Sequence, residues 1–457
     1  MDSTKQSLGF VTIMMIGFAI FSMHFGASCM LWPTTWGRDS GSEFLLCFAG
    51  FFLSGLILPA LAYLAVSKGG GPLYTLSYQV GPKFVATFGT ICVLLTGPLF
   101  TIPRMSAASW DAISRVTGLD MAEGAFAMSV VFQIAYYAIV YWFIYKESMI
   151  VDKLSKILVP ALIIIEIAVI GKAIIDPVGP VAPRNYPQSA MAYGFVNGYQ
   201  TMDLTCALMF AGIIVHDLKN RLGEHSPRVN YYLVLTGFLG FAIMGSVQLG
   251  EMYRGSVSSV LFPDLNYAKL SATVVLEQYG NVGGIIFNIC LAFAAMTTAI
   301  GLAAGCGVYF ENATRGKWRY KRASIATLIL SCFISIIGLG TIVVWATPGL
   351  YLVYPPAIAL VLCLCFLTEF TGGTRGACWG AFVWGIFEAG EGYVKLFGKT
   401  TGNPDISNPF AWIHDVPLME YGLGFLWLTI AGFIIGHIIW KKAPVAVVPQ
   451  IEYADND

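Results

Sequence analysis

An apolar run long enough to cross a bilayer extends from residue 190 to 215, and its first half carries Asn197, Gly198, Gln200, Thr201 and Asp203. In hydrocarbon each unpaired backbone group costs several kcal/mol, so irregular backbone persists there only where it lines a cavity. Asp203 alone costs roughly 2.5–3.5 kcal/mol at mid-membrane on insertion scales. The stretch reads as a helix interrupted for a purpose. A second candidate interruption lies in the first apolar run, at His24-Phe25-Gly26-Ala27-Ser28-Cys29. Two interrupted helices at corresponding places in two halves of a chain point to the binding site of a secondary transporter.

Composition agrees with a membrane setting. The chain is 57% hydrophobic and 11% charged, against about 25% charged in soluble domains. Its formal net charge of zero gives no reason to expect a nucleic-acid partner. Ten cysteines lie scattered in apolar runs without a C-x-x-C pair, which reads as free buried thiols rather than a disulfide or zinc framework. The polar start and the long first apolar run do not fit a cleaved signal. Asn312-Ala313-Thr314 matches a glycosylation acceptor but falls on the side expected to be cytoplasmic.

Counting apolar runs of about 18 residues or more predicts an all-α polytopic membrane protein with about twelve transmembrane helices. Lys and Arg sidedness orients them. Seventeen basic residues, among them Lys5, Lys146, Lys153, Lys156, Lys441, Lys442 and the cluster at 315–322, fall on one side, and seven fall on the other. Both termini are therefore expected in the cytoplasm. With five spans per half, the halves run upside-down to one another. The expected units are an inverted repeat over 1–176, a Pro-rich linker over 177–188, a second repeat over 189–374, and two extra helices with a cytoplasmic tail over 375–457. The interruptions then fall on spans 1 and 6.

Gly97-Pro98-Leu99-Phe100-Thr101-Ile102-Pro103-Arg104, the decapeptide from Gly194 to Asp203, and Tyr354-Pro355-Pro356 resemble signatures of the bacterial branched-chain amino-acid:cation symporters. That family resembles the leucine-transporter fold and moves leucine, isoleucine and valine inward with sodium, across the bacterial cytoplasmic membrane. The resemblance covers nearly the whole chain, with two departures. Cys29 replaces the family's first-span Asn and is a poor ligand for a hard cation, so a second sodium site is expected to be missing. Gln200 replaces a Leu.

The N–H groups at Phe25, Gly26, Ala27 and Ser28 are candidates for the substrate carboxylate, since a helix start favours an anion. The carbonyls of Val196, Asn197, Gly198 and Tyr199 are candidates for its ammonium. The alternative is a Gly/Ser helix-packing face. Apolar walls would come from Phe100, Met23, Tyr199, Met202 and Met296. The resemblance implies sodium as coupling ion, held by carbonyls of Ser22, Phe25 and Ala294 and hydroxyls of Thr297 and Thr298. The alternative for the two threonines is bonding to their own preceding turn. Asp203 either orients the broken segment or takes a proton, or else pairs with hydroxyls across helices. Arg104 either snorkels to the headgroups or serves an outer gate. His24 reads as a satisfied packing residue rather than a ligand, Glu166 as a proton-sensitive group or the partner of a polar neighbour rather than part of the pocket, and Glu388 and Glu391 as facing the polar end of a helix. Gly392 to Thr400 misses the phosphate-loop spacing by one residue. No enzyme constellation, organic cofactor or obligatory protein partner is expected. Proton coupling, exchange, or an amino-acid sensor without transport are the rival readings.

Overall fold

The computed structural model describes residues 7–145, 150–223, 226–403 and 406–440, and for residues 145 and 150–159 the backbone alone. The expected cytoplasmic tail at 441–457 and the basic residues Lys5, Lys146, Lys441 and Lys442 lie outside these, as do the side chains of Lys153 and Lys156. The described chain is helical throughout. Six of its helices are by themselves long and apolar enough to cross a bilayer, and a bent pair, Ala190–Thr201 with Asp203–Leu222, makes a seventh. Further apolar helices, such as Phe10–His24 and Leu426–Ile439, are shorter. Length and apolarity alone thus fall short of twelve. Span numbers below follow the helical rods in chain order.

Many apolar side chains face outward, including Phe10, Val131, Ile164, Val282, Phe333 and Ile438, each more than half exposed. In water such a surface would drive association; here it is the lipid face of a multi-pass membrane protein.

Span 1 comprises Phe10–His24 and Ala27–Ser40, and span 6 comprises Ala190–Asn197, a 3-10 turn Gly198–Thr201, and Asp203–Leu222. Each packs on another rod through glycines, span 1 on span 7 (Arg228–Ser256) and span 6 on span 2 (from Phe44 to Gly69). A Cβ on Gly37 of span 1 would lie 1.9 Å from the Met252 carbonyl oxygen of span 7, and one on Gly194 of span 6 would lie 1.8 Å from that of Cys47 in span 2. Close backbone approach of this kind is how membrane helices associate without a hydrophobic driving force. The same device joins Thr371–Thr401 to Leu426–Ile439, where a Cβ on Gly376 would lie 1.9 Å from the Gly432 carbonyl oxygen.

Three expectations need correction. Span 3, within Pro82–Thr117, is also interrupted: Gly97 has φ −102° and ψ −111°, and Phe100 has φ −139° and ψ −63°. By sequence the polar connection before span 8 could carry a surface helix over Tyr267 to Tyr279; it does not. The rod Tyr267–Ala313 turns at Gly280 (φ 64°, ψ −170°), and its first part is buried from Ala268 to Val275, except for Lys269. Glu388 and Glu391 are buried rather than at a polar helix end; Trp384 donates its indole N–H to Glu388 at 3.1 Å, and His414 and Lys395 contact Glu391. Gly392 to Thr400 is continuous helix, not a phosphate loop.

Candidate functional site

The last helical bond of span 1's first half runs from the Phe25 N–H to the Phe21 carbonyl at 2.7 Å. Gly26 is extended, at φ −107° and ψ −176°, and caps the second half with no side chain. Its N–H turns to His24 O at 2.9 Å, and the Cys29 N–H turns to Gly26 O at 3.0 Å. In an unbroken helix those two donors would bond Ser22 O and Phe25 O. Both carbonyls are thereby released, and the N–H groups of Ala27 and Ser28 open the next helix. Any residue can adopt the Gly26 backbone; glycine is required for space. A Cβ there would sit 2.6 Å from the Thr298 hydroxyl oxygen of span 8.

In span 6 the 3-10 turn ends at Met202, held left-handed at φ 63° and ψ 15°. A non-glycine residue there stores roughly 1–3 kcal/mol. The carbonyls expected to await an ammonium are engaged within the turn. Val196 O accepts the Gly198 N–H, Gly198 O accepts the Thr201 hydroxyl at 3.0 Å, and Tyr199 O accepts the Met202 N–H at 3.1 Å. Each keeps one lone pair. Val196 packs against Gly422, and Asn197 donates to Tyr193 O at 2.9 Å.

The two interruptions lie against each other. His24 Nδ1 meets Asp203 Oδ1 at 3.2 Å, and His24 Nε2 meets the Tyr63 hydroxyl at 3.1 Å. His24 is thus the partner of Asp203 and joins the breaks, a role that reading it as packing missed. Asp203 Oδ2 is buried with no partner. Trp32 Nε1 donates to Gln200 Oε1 at 2.7 Å, and Gln200 Nε2 donates to Asn197 Oδ1 at 2.7 Å. The departure at Gln200 therefore adds a tie between spans 1 and 6.

Arg104 is fully buried and does not snorkel. Its guanidinium donates to the carbonyls of Gln200 and Thr201, the latter at 3.1 Å. It lies 4.3 Å from the centre of the Phe100 ring and 4.8 Å from that of Trp32. Phe100 thus covers Arg104. Tyr199 stacks on Tyr354 at 4.2 Å beside them. These contacts pack Arg104 and its aromatic neighbours against the span 6 break.

A cavity of about 550 Å³ runs from Ser22, Thr297 and Thr298 past Phe210 to Tyr74 and Asn312, next to the basic connection at 315–322. Both threonine hydroxyls donate to Ala294 O, at 3.0 and 3.1 Å, the local bonding allowed for them above. Their oxygens still have lone pairs for a cation. Phe25 and Ala294 are buried. The expected sodium ligands therefore come from two neighbouring elements, and the set is all neutral oxygen, which suits a hard monovalent ion.

Two interrupted helices held against each other, with a cavity opening beside span 1 at Ser22 and Met23, are the arrangement of a membrane transporter. Residues 10–443 match the branched-chain amino acid transport protein family, and the chain belongs to it. The branched-chain amino acid permease BraB of Bacillus subtilis is 26% identical over 442 residues, 95% of this chain and 97% of its own. The branched-chain amino acid transport system 3 carrier protein of Pseudomonas aeruginosa is 28% identical over 446 residues, 95% of this chain and 98% of its own. The fold is leucine-transporter-like. It matches Mhp1, a nucleobase-cation-symport-1 family transporter, in an inward-facing conformation at a TM-score of 0.65 and 12% identity, over 97% of this chain and 94% of that one. A closed conformation with bromovinylhydantoin bound matches at 0.64 and 13%, over 97% and 95%.

Proposed function

We propose that this protein imports leucine, isoleucine and valine across the bacterial cytoplasmic membrane, coupled to sodium by alternating access, with both termini in the cytoplasm. The observation that carries the reading is the meeting of the two interruptions through His24 and Asp203. Ala27 and Ser28 N–H groups bind the carboxylate at a helix start. Span 6 carbonyls with a remaining lone pair take the ammonium. Ser22, Phe25, Ala294, Thr297 and Thr298 hold sodium, which supplies positive charge and order between spans 1 and 8.

The energetics suffice. One Na+ crossing 100 mV releases about 2.3 kcal/mol, and a tenfold gradient adds about 1.4 kcal/mol. Together they support roughly 500-fold accumulation at one-to-one coupling. The test is uptake of labelled leucine by proteoliposomes under sodium, potassium or proton gradients. Uptake indifferent to sodium overturns the coupling. The buried His24–Asp203 pair favours a second reading, the same cycle driven by protons; acid-stimulated uptake that survives sodium removal would select it.

A further inference from the structure

Behind the outer half of span 1 lies a second polar cluster that the substrate site does not use. Glu166 of span 5, Glu251 and Arg254 of span 7, Thr34 of span 1 and Ser271 of the buried outer helix all have no exposed surface. Arg254 pairs with Glu251 Oε2. The Thr34 hydroxyl donates to that same oxygen at 2.5 Å. Arg254 also reaches the Ser271 hydroxyl at 3.3 Å, and its guanidinium lies 5.7 Å from the Phe287 ring centre. Ser271 in turn donates to Met30 O at 3.5 Å.

Among the described residues, these bonds leave three buried oxygens without a donor: Oε1 of Glu251 and both oxygens of Glu166. Glu166's helix packs against the rod that carries Glu251 and Arg254, and the Glu166 carboxyl interacts with both. The elements packed on Glu166's helix are the rods Arg228–Ser256 and Tyr267–Ala313. The first contributes Glu251 and Arg254. The second contributes the Tyr279 hydroxyl, which is committed to Ala168 O at 2.6 Å. Two carboxylates cannot bond one another, because neither has a hydrogen to give. Two anions against one guanidinium would also leave a net buried charge, which costs far more than a neutral cluster.

We propose that Glu166 and Glu251 form a proton-binding site that holds one proton between them. The proton gives the pair its missing donor and makes the cluster neutral. Without it, two anions face one cation directly behind the half of span 1 that Thr34 and Met30 belong to. The site is separate from the expected sodium ligands, and it stands whether or not leucine is the cargo.

The test is infrared spectroscopy of the purified full-length protein in lipid vesicles at neutral pH. The wild type is compared with Glu166→Gln, Glu251→Gln and the double variant. Each single variant is expected to lose one protonated-carboxyl band, and the double variant no second one. Loss of a carboxylate band alone in both single variants overturns the proposal, as does loss of two protonated bands in the double variant. The substitutions keep size and shape. If one single variant does not accumulate, the other still reads the same band. Neither measurement needs transport, so its failure is distinct from failure of the transport reading.

Discussion

Arg104 makes two bonds from one fork to adjacent carbonyls of span 6, Gln200 and Thr201. Lysine has a point charge in place of that fork. Arg104→Lys is expected to lower leucine uptake about tenfold or more, since one charge-assisted bond is worth roughly 1.5–3 kcal/mol. Uptake within twofold of wild type would remove Arg104 from a role at the span 6 break. Thr298→Val keeps the shape of the side chain and deletes its hydroxyl. It is expected to shift half-maximal sodium activation upward about tenfold, measured by sodium titration of uptake, and an unchanged curve rejects the ligand. Asp203 stood out in the sequence because a lone carboxylate in an apolar run is costly. His24 did not, because its partner lies 179 residues away and one apolar neighbourhood gives no hint of distance. For Arg104 the sequence leaves snorkelling and an outer-gate role both open, and its burial excludes the first. Near a span end the arginine has a headgroup exit, and only the break at Gly97 to Phe100 shows why it turns inward instead.

At the scale of elements, glycines decide where backbones touch. Gly194→Ala places a methyl on the Cys47 carbonyl and is expected to cost about 1–3 kcal/mol as overpacking. Its thermal unfolding temperature should fall, and uptake with it. Gly171→Ala, where nothing lies within 4 Å of the new Cβ, is the control and should unfold no lower than wild type. The breaks in spans 1 and 6 were legible because small and polar residues crowd into hydrocarbon there. The break in span 3 carried its own sign, Gly97-Pro98, a pair that commonly punctuates helices. The outer helix before Gly280 was legible as a helix, but its burial was not, since the packing partners Met30 and Trp32 belong to a different part of the chain.

For the whole molecule, the cavity beside the basic connection makes a sidedness prediction in the proposed orientation. Ile213→Cys places a thiol on the cavity wall, whereas the native Cys29, Cys206 and Cys306 are buried. An impermeant maleimide is expected to label it in inside-out vesicles and not in right-side-out ones. Sodium with leucine should slow that labelling, and equal labelling from both sides overturns the orientation. The fold class was legible from apolar run length and interruption. The count of about twelve read from apolar runs is not settled by helix length and apolarity among the described residues, because rods such as Phe10–His24 are shortened by the very breaks that make the site.

In the proposed orientation, the packing of Arg104, Trp32 and the Tyr199–Tyr354 stack over the span 6 break has a pharmacological meaning. A poison dissolved in the growth medium would meet that packing first. A drug aimed at the cavity beside the basic connection would have to slip through the lipid and come at the grip from behind.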